Sequence, residues 1–225
     1  MINIWDKVVP LSETIIRKFD KYEKLELKNE YHIDVDNFSW KNYLWTSDKF
    51  RRAHIEIVDA REEKKIWVMH MCIFPNYNDS SPIFGFDIVC GKNKITGAFH
   101  DFSPVGNSDI FNWYANNMNN YEWENKRQLP EWALQIFSKQ MLAVSNINSE
   151  KELNQLCKIA IDNLDYYLYN IGNSNYQGTF LDKHNHYCKF QKQNPHTPAM
   201  MKTLGVDEVI FRTFMNEILF PENNE

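Results

Sequence analysis

The hydrophobic pattern between residues 50 and 104 predicts four consecutive β-strands. The segments RRAHIEIVDA, KIWVMHMCIFP, PIFGFDIVC and KITGAFHDFSP are rich in Ile, Val, Phe and Trp, and each is bounded by Pro, Asn, Asp or Gly. The turns between them are short. Short turns join antiparallel strands, because parallel neighbours need a crossover of about a dozen residues. We therefore expect an antiparallel sheet whose strands follow the order of the chain.

Helical patterns lie on both sides of this predicted sheet. The segments with helical periodicity are residues 11–23, 109–119, 130–144, 149–169 and 207–220. The fourth segment has the clearest ends, because Ser149 and Glu152 form a capping box and Gly172 follows the last turn. Residues 24–49 are compatible with either strand or loop, and residues 173–204 show no regular pattern.

The order of these elements predicts the fold class. In IWVMHMCIF, at residues 66–74, alternate positions are hydrophobic on both sides of the strand, so the sheet needs cover on both faces. Strands followed by helices, with one helix before them, are typical of an α+β protein. We expect a three-layer α/β/α sandwich with a central antiparallel sheet. No linker or shift in composition interrupts the chain, so we expect one domain over residues 1–225.

Four ionisable residues lie inside these apolar strands. Period-two alternation places His54 and Glu56 on one face of their strand, and His70 and Asp87 occupy the next two strands. A buried carboxylate or imidazole costs free energy unless it is partnered or neutral. If the faces coincide, the residues converge on one wall and can exchange protons near neutral pH. The alternative interpretation is a hydrogen-bond network inside the core.

Composition limits the class of protein. Aromatic residues make up 15% of the 225 residues, which fits either a bulky core or a pocket for a large, flat, conjugated ligand. The net charge of −5 provides no basic footprint for nucleic acid. The four cysteines are scattered without a C-x-x-C pair, as expected of buried thiols in a reducing compartment. There is no signal-peptide pattern and no apolar run of membrane-spanning length, so we expect a cytoplasmic protein.

Other motifs give little chemistry. His184, His186 and Cys188 are residue types that bind zinc or iron, but their spacing matches no compact metal site, so we expect no metal. The chain has no serine-centred nucleophile elbow, phosphate-binding glycine loop or dinucleotide fingerprint. Acyl transfer through a serine nucleophile and nucleotide-dependent chemistry are therefore not indicated.

Several short motifs together resemble one family. They are FRRAHIEI (50–57), VMHMCIFP (68–75), PIFGFDIVCG (82–91), FHDFSP (99–104), LPEW (129–132), FSKQML (137–142), HYC (186–188) and EILFP (217–221). In order and spacing they are similar to the ferredoxin-dependent bilin reductases, and most similar to the branch that forms phycocyanobilin. The resemblance covers roughly residues 45–221.

The resemblance implies a fold and a reaction. Members of the family are α/β/α sandwiches that bind biliverdin between the sheet and the C-terminal helices. They carry no metal or flavin of their own, electrons arrive singly from a [2Fe–2S] ferredoxin, and side chains supply protons. We expect a monomer that reduces biliverdin IXα to phycocyanobilin with four electrons and hands its product to a bilin-accepting protein. The alternatives are two-electron reduction to 15,16-dihydrobiliverdin and a non-catalytic bilin or haem carrier.

The resemblance also implies roles for the polar strand residues. Asp87 matches the central catalytic aspartate, and His70 matches the histidine beside it. Glu56 matches the glutamate near the D-ring vinyl group, and His54 matches a histidine in the proton relay. Relatives that form phycoerythrobilin have asparagine at the position of His70 and a catalytic aspartate near Asn194, so the identities in this chain favour phycocyanobilin.

Substrate contacts and the partner surface follow from the same resemblance. The expected substrate-binding residues are Thr96, which matches a contact to a propionate, and the C-terminal residues Gln191, Asn194, His196, Thr197 and Met200. The arginine expected near Ser145 for propionate binding is missing. The ferredoxin partner is acidic, so we expect a local basic patch beside the pocket. Its predicted members are Lys183, Lys189, Lys192 and Lys202.

Overall fold

A computed structural model describes residues 2–173 and 177–223, and all statements below refer to them. Within these ranges the strands are β1 (Glu23–Leu25), β2 (Ile33–Val35), β3 (Phe38–Thr46), β4 (Phe50–Ala60), β5 (Ile66–Pro75), β6 (Ile83–Cys90), β7 (Ile95–Ser103) and β8 (Leu142–Val144). The α-helices are α1 (Trp5–Arg17), α2 (Asp109–Met118), α3 (Glu131–Leu134), α4 (Glu150–Asn170), α5 (Leu181–Gln191), α6 (His196–Thr203) and α7 (Glu208–Phe214). A turn of π-helix, Met215–Leu219, continues α7.

The strands form one antiparallel sheet in the order β1-β3-β4-β5-β6-β7-β8, and β2 pairs with β3 beside β1. Strands β4 to β7 are the four predicted from the hydrophobic pattern, and each pairs with its neighbour in the chain. Residues 24–49, which the sequence left open, contribute β2, β3 and most of β1. The sheet is therefore wider than the sequence predicted.

Helices cover both faces of the sheet. One buried cluster joins α1, α2 and α4 to the face of β4–β7 that carries Ile55, Met71 and Phe86. The second joins α5, α6, α7 and the π-turn to the opposite face, which carries Val68 and Cys72. Because each face is apolar, burial on both sides stabilises the sheet at roughly 25 cal/mol for each Å² removed from water. The α+β, three-layer α/β/α prediction is confirmed.

Helix α1 begins six residues before the predicted start. The sequence placed the helix at residues 11–23, after Pro10, but Pro10 lies inside a helix that spans Trp5–Arg17. Proline removes one backbone hydrogen bond from a helix. Here Ile4, just before the helix, and Val8 and Ile15 within it are fully buried against the sheet. Their packing outweighs the local cost of the proline.

The prediction of one helix over residues 130–144 is wrong. Helix α3 ends at Leu134, and the segment then turns into β8, which pairs with β7. The backbone N–H of Ser138 donates to the carboxylate of Asp101 at 2.9 Å, and the Ser138 hydroxyl also donates to it. Because a side chain of β7 takes this N–H, the helix cannot continue through Ser138.

Residues 173–204 were predicted to be irregular; residues 174–176 lie outside the described residues, and the remainder contains α5 and α6. The buried residues of α5 are His184, Tyr187 and Cys188, which are spaced as one face of a helix. Two of these three are polar or amphipathic, so a search for apolar periodicity missed the helix.

The predicted ends of α4 are confirmed, but the Glu152 half of the capping box is not, because the Glu152 carboxylate accepts from the backbone N–H of Glu124 and the hydroxyl of Ser149. The Ser149 hydroxyl accepts a hydrogen bond from the Glu152 N–H at 3.3 Å, and the chain leaves the helix through Gly172, whose φ is +86°. A Cβ on Gly172 would lie 2.9 Å from the Cα of Lys49. A Cβ on Gly205, whose φ is +82°, would have no heavy atom within 4 Å. The two glycines therefore share backbone strain but differ in crowding.

We predict that Gly172→Ala lowers the free energy of unfolding by about 2–4 kcal/mol, and Gly205→Ala by about 1 kcal/mol. A positive φ costs about 1–2 kcal/mol for an L-residue, and the contact with Lys49 adds an overpacking cost. Urea unfolding of both variants checks this. Equal losses at the two positions would contradict the role of the contact with Lys49.

Candidate active site

Three ionisable side chains lie in one row across the middle of the sheet. In the register of β4, β5 and β6, Glu56 pairs with His70 and His70 pairs with Asp87. Directly paired residues point to the same face, and adjacent strands lie about 4.8 Å apart. His54 lies two residues before Glu56 and shares this face. The sequence-predicted residues are thus brought together on the face covered by α5, α6 and α7.

Burial keeps the two carboxyl groups protonated up to near neutral pH. It raises the pKa of Asp87 to about 7. It also raises the pKa of Glu56 to about 7; a hydrogen bond from Trp40 opposes this rise, and the charge of Asp87 adds to it. Carboxylic acids with such values donate protons at neutral pH and can be reprotonated there.

The two imidazoles are neutral. Burial lowers the pKa of His70 to about 4, and it holds the pKa of His54 well below its usual range, helped by His70 and Arg52. Within the described part of the chain, His54 Nδ1, His70 Nδ1 and Asp87 Oδ1 are buried without a hydrogen-bond partner. Buried polar atoms are normally paired, so three unpaired atoms on one wall indicate a site for a polar ligand or water.

Aromatic rings from the C-terminal helices cover this wall. The ring of Phe214 lies 5.6 Å from that of His54, and the ring of Phe220 lies 5.9 Å from that of His70. Arg52 on β4 binds the π-turn Met215–Leu219 to the sheet, because its Nη1 donates to the carbonyl oxygens of Glu217 and Ile218 at 2.7 and 3.0 Å. The site therefore lies between the sheet and the C-terminal helices.

An accessible strip extends from the row toward β7. Gly85, Asp87, Val89 and Phe99 are half-buried, whereas residues between them on β6 are buried. Asp87 pairs directly with Phe99, so the strip crosses both strands. Gly85 has no side chain, so α5 approaches the sheet closely at this point: the hydroxyl of Tyr187 lies 3.6 Å from where a Cβ on Gly85 would be.

Arg127 lies beside this strip and was not identified from the sequence. Its guanidinium is 5.3 Å from the centre of the Phe99 ring, and its Nη1 lies 3.1 Å from where a Cβ on Gly97 would be. None of the ion pairs among the described residues involves Arg127. Its segment pairs with β8 through the hydrogen bond from Arg127 N to Ala143 O. This long-range pairing leaves no local sequence signal.

The predicted substrate-binding residues fall in two places. Thr96 is exposed at the start of β7, where its hydroxyl donates to the carbonyl of Val89. The others lie on α5, on α6 or in the connection between them: Gln191, Asn194, His196, Thr197 and Met200. Among them, Gln191 donates to the hydroxyl of Tyr187 at 2.7 Å, and Met200 packs on the cluster that covers the row. Their contacts with a substrate stay a prediction.

Asn194 has a structural role at the start of α6. Its Oδ1 accepts a hydrogen bond from the backbone N–H of His196, and its Nδ2 donates to the hydroxyl of Thr197. These bonds hold the first turn of α6. The side chain of His196 is exposed.

The residues of the H-x-H-x-C run do not converge. His184 and Cys188 are buried one helical turn apart on α5, whereas His186 is exposed and contacts the carbonyl of Gln135. In residues 2–173 and 177–223 there is no group of three or more His, Cys, Asp or Glu side chains arranged to hold a metal ion. Over the same residues, no helix is both long and apolar enough to cross a membrane.

Three of the four lysines of the predicted basic patch are exposed on α5 and α6. These are Lys183, Lys189 and Lys202. Lys192 is half-buried and forms an ion pair with Glu222 at 2.7 Å. The patch therefore lies on the helices that cover the site, and part of its charge is neutralised.

Comparison with known proteins gives the family. A sequence profile described as ferredoxin-dependent bilin reductase matches residues 7–221, so the chain belongs to the ferredoxin-dependent bilin reductases. It is similar to phycocyanobilin:ferredoxin oxidoreductase of Trichodesmium erythraeum, with 26% identity over 210 residues, 87% of this chain and 81% of that protein. The protein of the same name from Prochlorococcus marinus is 29% identical over 182 residues, 76% and 72% of the two chains.

Two solved structures are similar to the whole chain. PcyX has a TM-score of 0.68 and 26% identity, and the match covers 96% of this chain and 99% of that one. Phytochromobilin synthase from tomato, in complex with biliverdin, has a TM-score of 0.69 and 16% identity over 98% and 84% of the chains. The second likeness concerns the fold alone. The protein is thus a ferredoxin-dependent bilin oxidoreductase, and its electron donor and bilin substrate follow from the family.

We predict that Asp87→Asn gains stability relative to the wild type as pH rises from 4 to 8. Because burial raises the pKa of Asp87 to about 7, the folded protein binds a proton that the unfolded chain has already released above about pH 4. The wild type therefore loses stability through this window, and the variant does not. The difference should grow by about 2–4 kcal/mol.

Denaturant unfolding at several pH values checks this prediction. Asp36→Asn is the matched control, because Asp36 is exposed in the turn between β2 and β3. A difference that is independent of pH, or equal in the control, would contradict a protonated Asp87.

Proposed function

We propose that this chain reduces biliverdin IXα to phycocyanobilin with four electrons delivered singly by a [2Fe–2S] ferredoxin. The observation that carries the proposal is the row Glu56–His70–Asp87, which combines two carboxylic acids protonated near pH 7 with a neutral imidazole on one wall. The curated relatives named phycocyanobilin:ferredoxin oxidoreductase support the same product. No resident metal or flavin is needed, because the ferredoxin supplies the electrons.

The side chains take distinct parts in proton transfer. Asp87 donates a proton to the bilin after an electron arrives, and His70, its partner in the register, accepts and returns protons beside it. Glu56 serves the D-ring vinyl group, and His54 relays protons behind it. Each transfer leaves a charge in a buried place, and that charge must be neutralised by reprotonation before the next electron.

The substrate carboxylates are bound at the β7–β8 side of the site. The segment of residues 125–127 pairs with the end of β8: the N–H of Ser145 donates to the carbonyl of Asn125, and the N–H of Arg127 donates to the carbonyl of Ala143. Arg127 therefore lies close to Ser145 and takes the place of the arginine expected there. The guanidinium over Phe99 has no carboxylate partner within the described residues, so it is free to bind a propionate. Thr96 lies on the same edge of the sheet.

Ferredoxin docks on the helices that cover the site. The exposed lysines of α5 and α6 give this surface a positive charge next to the bilin, while the chain as a whole has a net charge of −5. A local patch steers an acidic partner to the site and keeps the association transient.

We predict that the wild type, incubated anaerobically with biliverdin and reduced ferredoxin, yields phycocyanobilin. Asp87→Asn should bind biliverdin with nearly unchanged affinity but stall reduction, because an amide supplies no acidic proton. Glu56→Gln should release a product that keeps its D-ring vinyl group. Spectra and chromatography of the products check both, and Glu63→Gln, at an exposed turn, is the control for Glu56→Gln.

The same incubation separates the alternatives. Release of 15,16-dihydrobiliverdin by the wild type would replace the proposal with a two-electron reductase. Bound biliverdin without any new pigment would indicate a carrier. Full activity of Asp87→Asn would remove the central residue from the mechanism.

We predict that Arg127→Gln raises the KM for biliverdin about five- to tenfold and leaves kcat unchanged. The lost contact is a charge-assisted hydrogen bond at an exposed position, away from the proton-transferring row. Steady-state kinetics check this, with Lys126→Gln as the control because Lys126 is the exposed neighbour on the same segment. Equal changes in both variants, or a fall in kcat alone, would contradict binding of a propionate by Arg127.

A further inference from the structure

Strand β3 carries two side chains with polar groups that form hydrogen bonds to Glu56 and His54. Trp40 and Asn42 lie on the same face as the row, and Asn42 pairs directly with Glu56. Trp40 is fully buried and Asn42 is 2% exposed. Neither was singled out by the sequence analysis, and both form hydrogen bonds to residues of the site.

Trp40 holds one oxygen of Glu56. Its indole Nε1 donates to Glu56 Oε1 at 2.7 Å in a buried contact. An indole N–H can only donate, so Oε1 must accept. In a protonated carboxyl group the carbonyl oxygen is the better acceptor, which leaves the acidic proton on Oε2. The ring of Phe214 packs edge-on against Trp40 at 4.8 Å, so packing fixes the direction of the indole.

Asn42 holds one nitrogen of His54. Its Nδ2 donates to the carbonyl oxygen of Tyr31 at 2.7 Å, which turns its Oδ1 toward His54 Nε2 at 3.1 Å. An amide oxygen can only accept, so His54 Nε2 carries the ring proton. The other nitrogen, Nδ1, then keeps its lone pair, and it is the buried atom without a partner in the described structure.

We propose that Trp40 and Asn42 are positioning residues that fix the exchangeable protons on Glu56 Oε2 and His54 Nε2. Glu56 then gives its proton through Oε2, and His54 accepts a proton through Nδ1. The direction of proton transfer is thereby set by two buried side chains of β3. The mechanistic meaning of this placement rests on the proposed function, but the placement itself does not.

The surroundings of Glu56 determine how its titration responds. The ionisable groups that face it are His54 on its own strand, His70 on β5 and Asp87 on β6, while α7 presents the rings of Phe211 and Phe214. Burial and the charge of Asp87 raise the pKa of Glu56, and the bond from Trp40 lowers it. Removing that bond must therefore raise the pKa further.

The test replaces Trp40 by Phe, which keeps a buried ring and removes the donor. Infrared spectra of the unliganded protein follow the carboxylic acid C=O band against pH, and Glu56→Gln assigns the band. We expect the midpoint of Glu56 to rise by about one to two pH units in Trp40→Phe. The alkaline limb of the pH profile for vinyl reduction should move in the same direction.

Trp67→Phe is the matched control, because Trp67 is 1% exposed in the cluster on the other face of the sheet. It should lose similar packing and leave the midpoint of Glu56 unchanged. An unmoved midpoint in Trp40→Phe, or an equal shift in the control, would overturn the role of Trp40. A general loss of packing alone would not move the midpoint in only one of the two variants.

Nitrogen NMR of His54 in the wild type tests the proposal that Asn42 fixes the ring proton of His54 on Nε2. We expect a protonated Nε2 and an unprotonated Nδ1, and a mixture of tautomers in Asn42→Ala. A protonated Nδ1 in the wild type would overturn the assignment even where the variant does not fold. Both spectroscopic readouts need neither bilin nor ferredoxin, so they remain decisive if product analysis assigns a different reduction.

Discussion

The hydrogen-bonded register of β4, β5 and β6 is the constraint on which the site depends. It places Glu56, His70 and Asp87 side by side, with the ladder extended by β3 and β7 on either side. A slip of one residue would turn a strand's side chains to the opposite face. Because both faces are covered by helices and apolar, such a slip would bury the ionisable groups in the wrong core. The register and the site are therefore maintained by the same packing.

The row is tolerated in the core because its members are neutral. Burial shifts the pKa of each carboxyl group upward and that of each imidazole downward, so the charged forms are disfavoured on both sides. The burial that lowers stability as pH rises from about 4 to 8 also gives the carboxyl groups pKa values at which they can donate protons near neutral pH. At Asp87, the role that we propose in proton transfer therefore comes at a cost in stability, and within the described residues one oxygen of this carboxyl group is buried without a hydrogen-bond partner.

The two helical layers serve different purposes. On one face the long helix α4 packs with α1 and α2 in a continuous apolar core. On the other face, α7 and the segment that follows the π-turn place the rings of Phe214 and Phe220 near His54 and His70. Arg52 ties the π-turn to β4 through backbone carbonyls, so the cover is fixed at one end.

Local patterns in the sequence determined a large part of this protein. Period-two alternation gave β4 to β7 and the shared face of His54 and Glu56, because the pleat of a strand is a local property. The capping box and Gly172 marked the ends of α4, because caps depend on backbone geometry within a few residues. The motifs that carry the family resemblance lie in these same segments.

Tertiary structure decided what depends on distant parts of the chain. The donor to Glu56 is 16 residues away on another strand, and the pairing that places Arg127 beside Phe99 joins its segment to β8. Asp101 ends a helix that local periodicity favoured, and burial of Ile15 and its neighbours carries α1 through Pro10. In each case a long-range contact contributes more free energy than the local preference, which the sequence alone does not show.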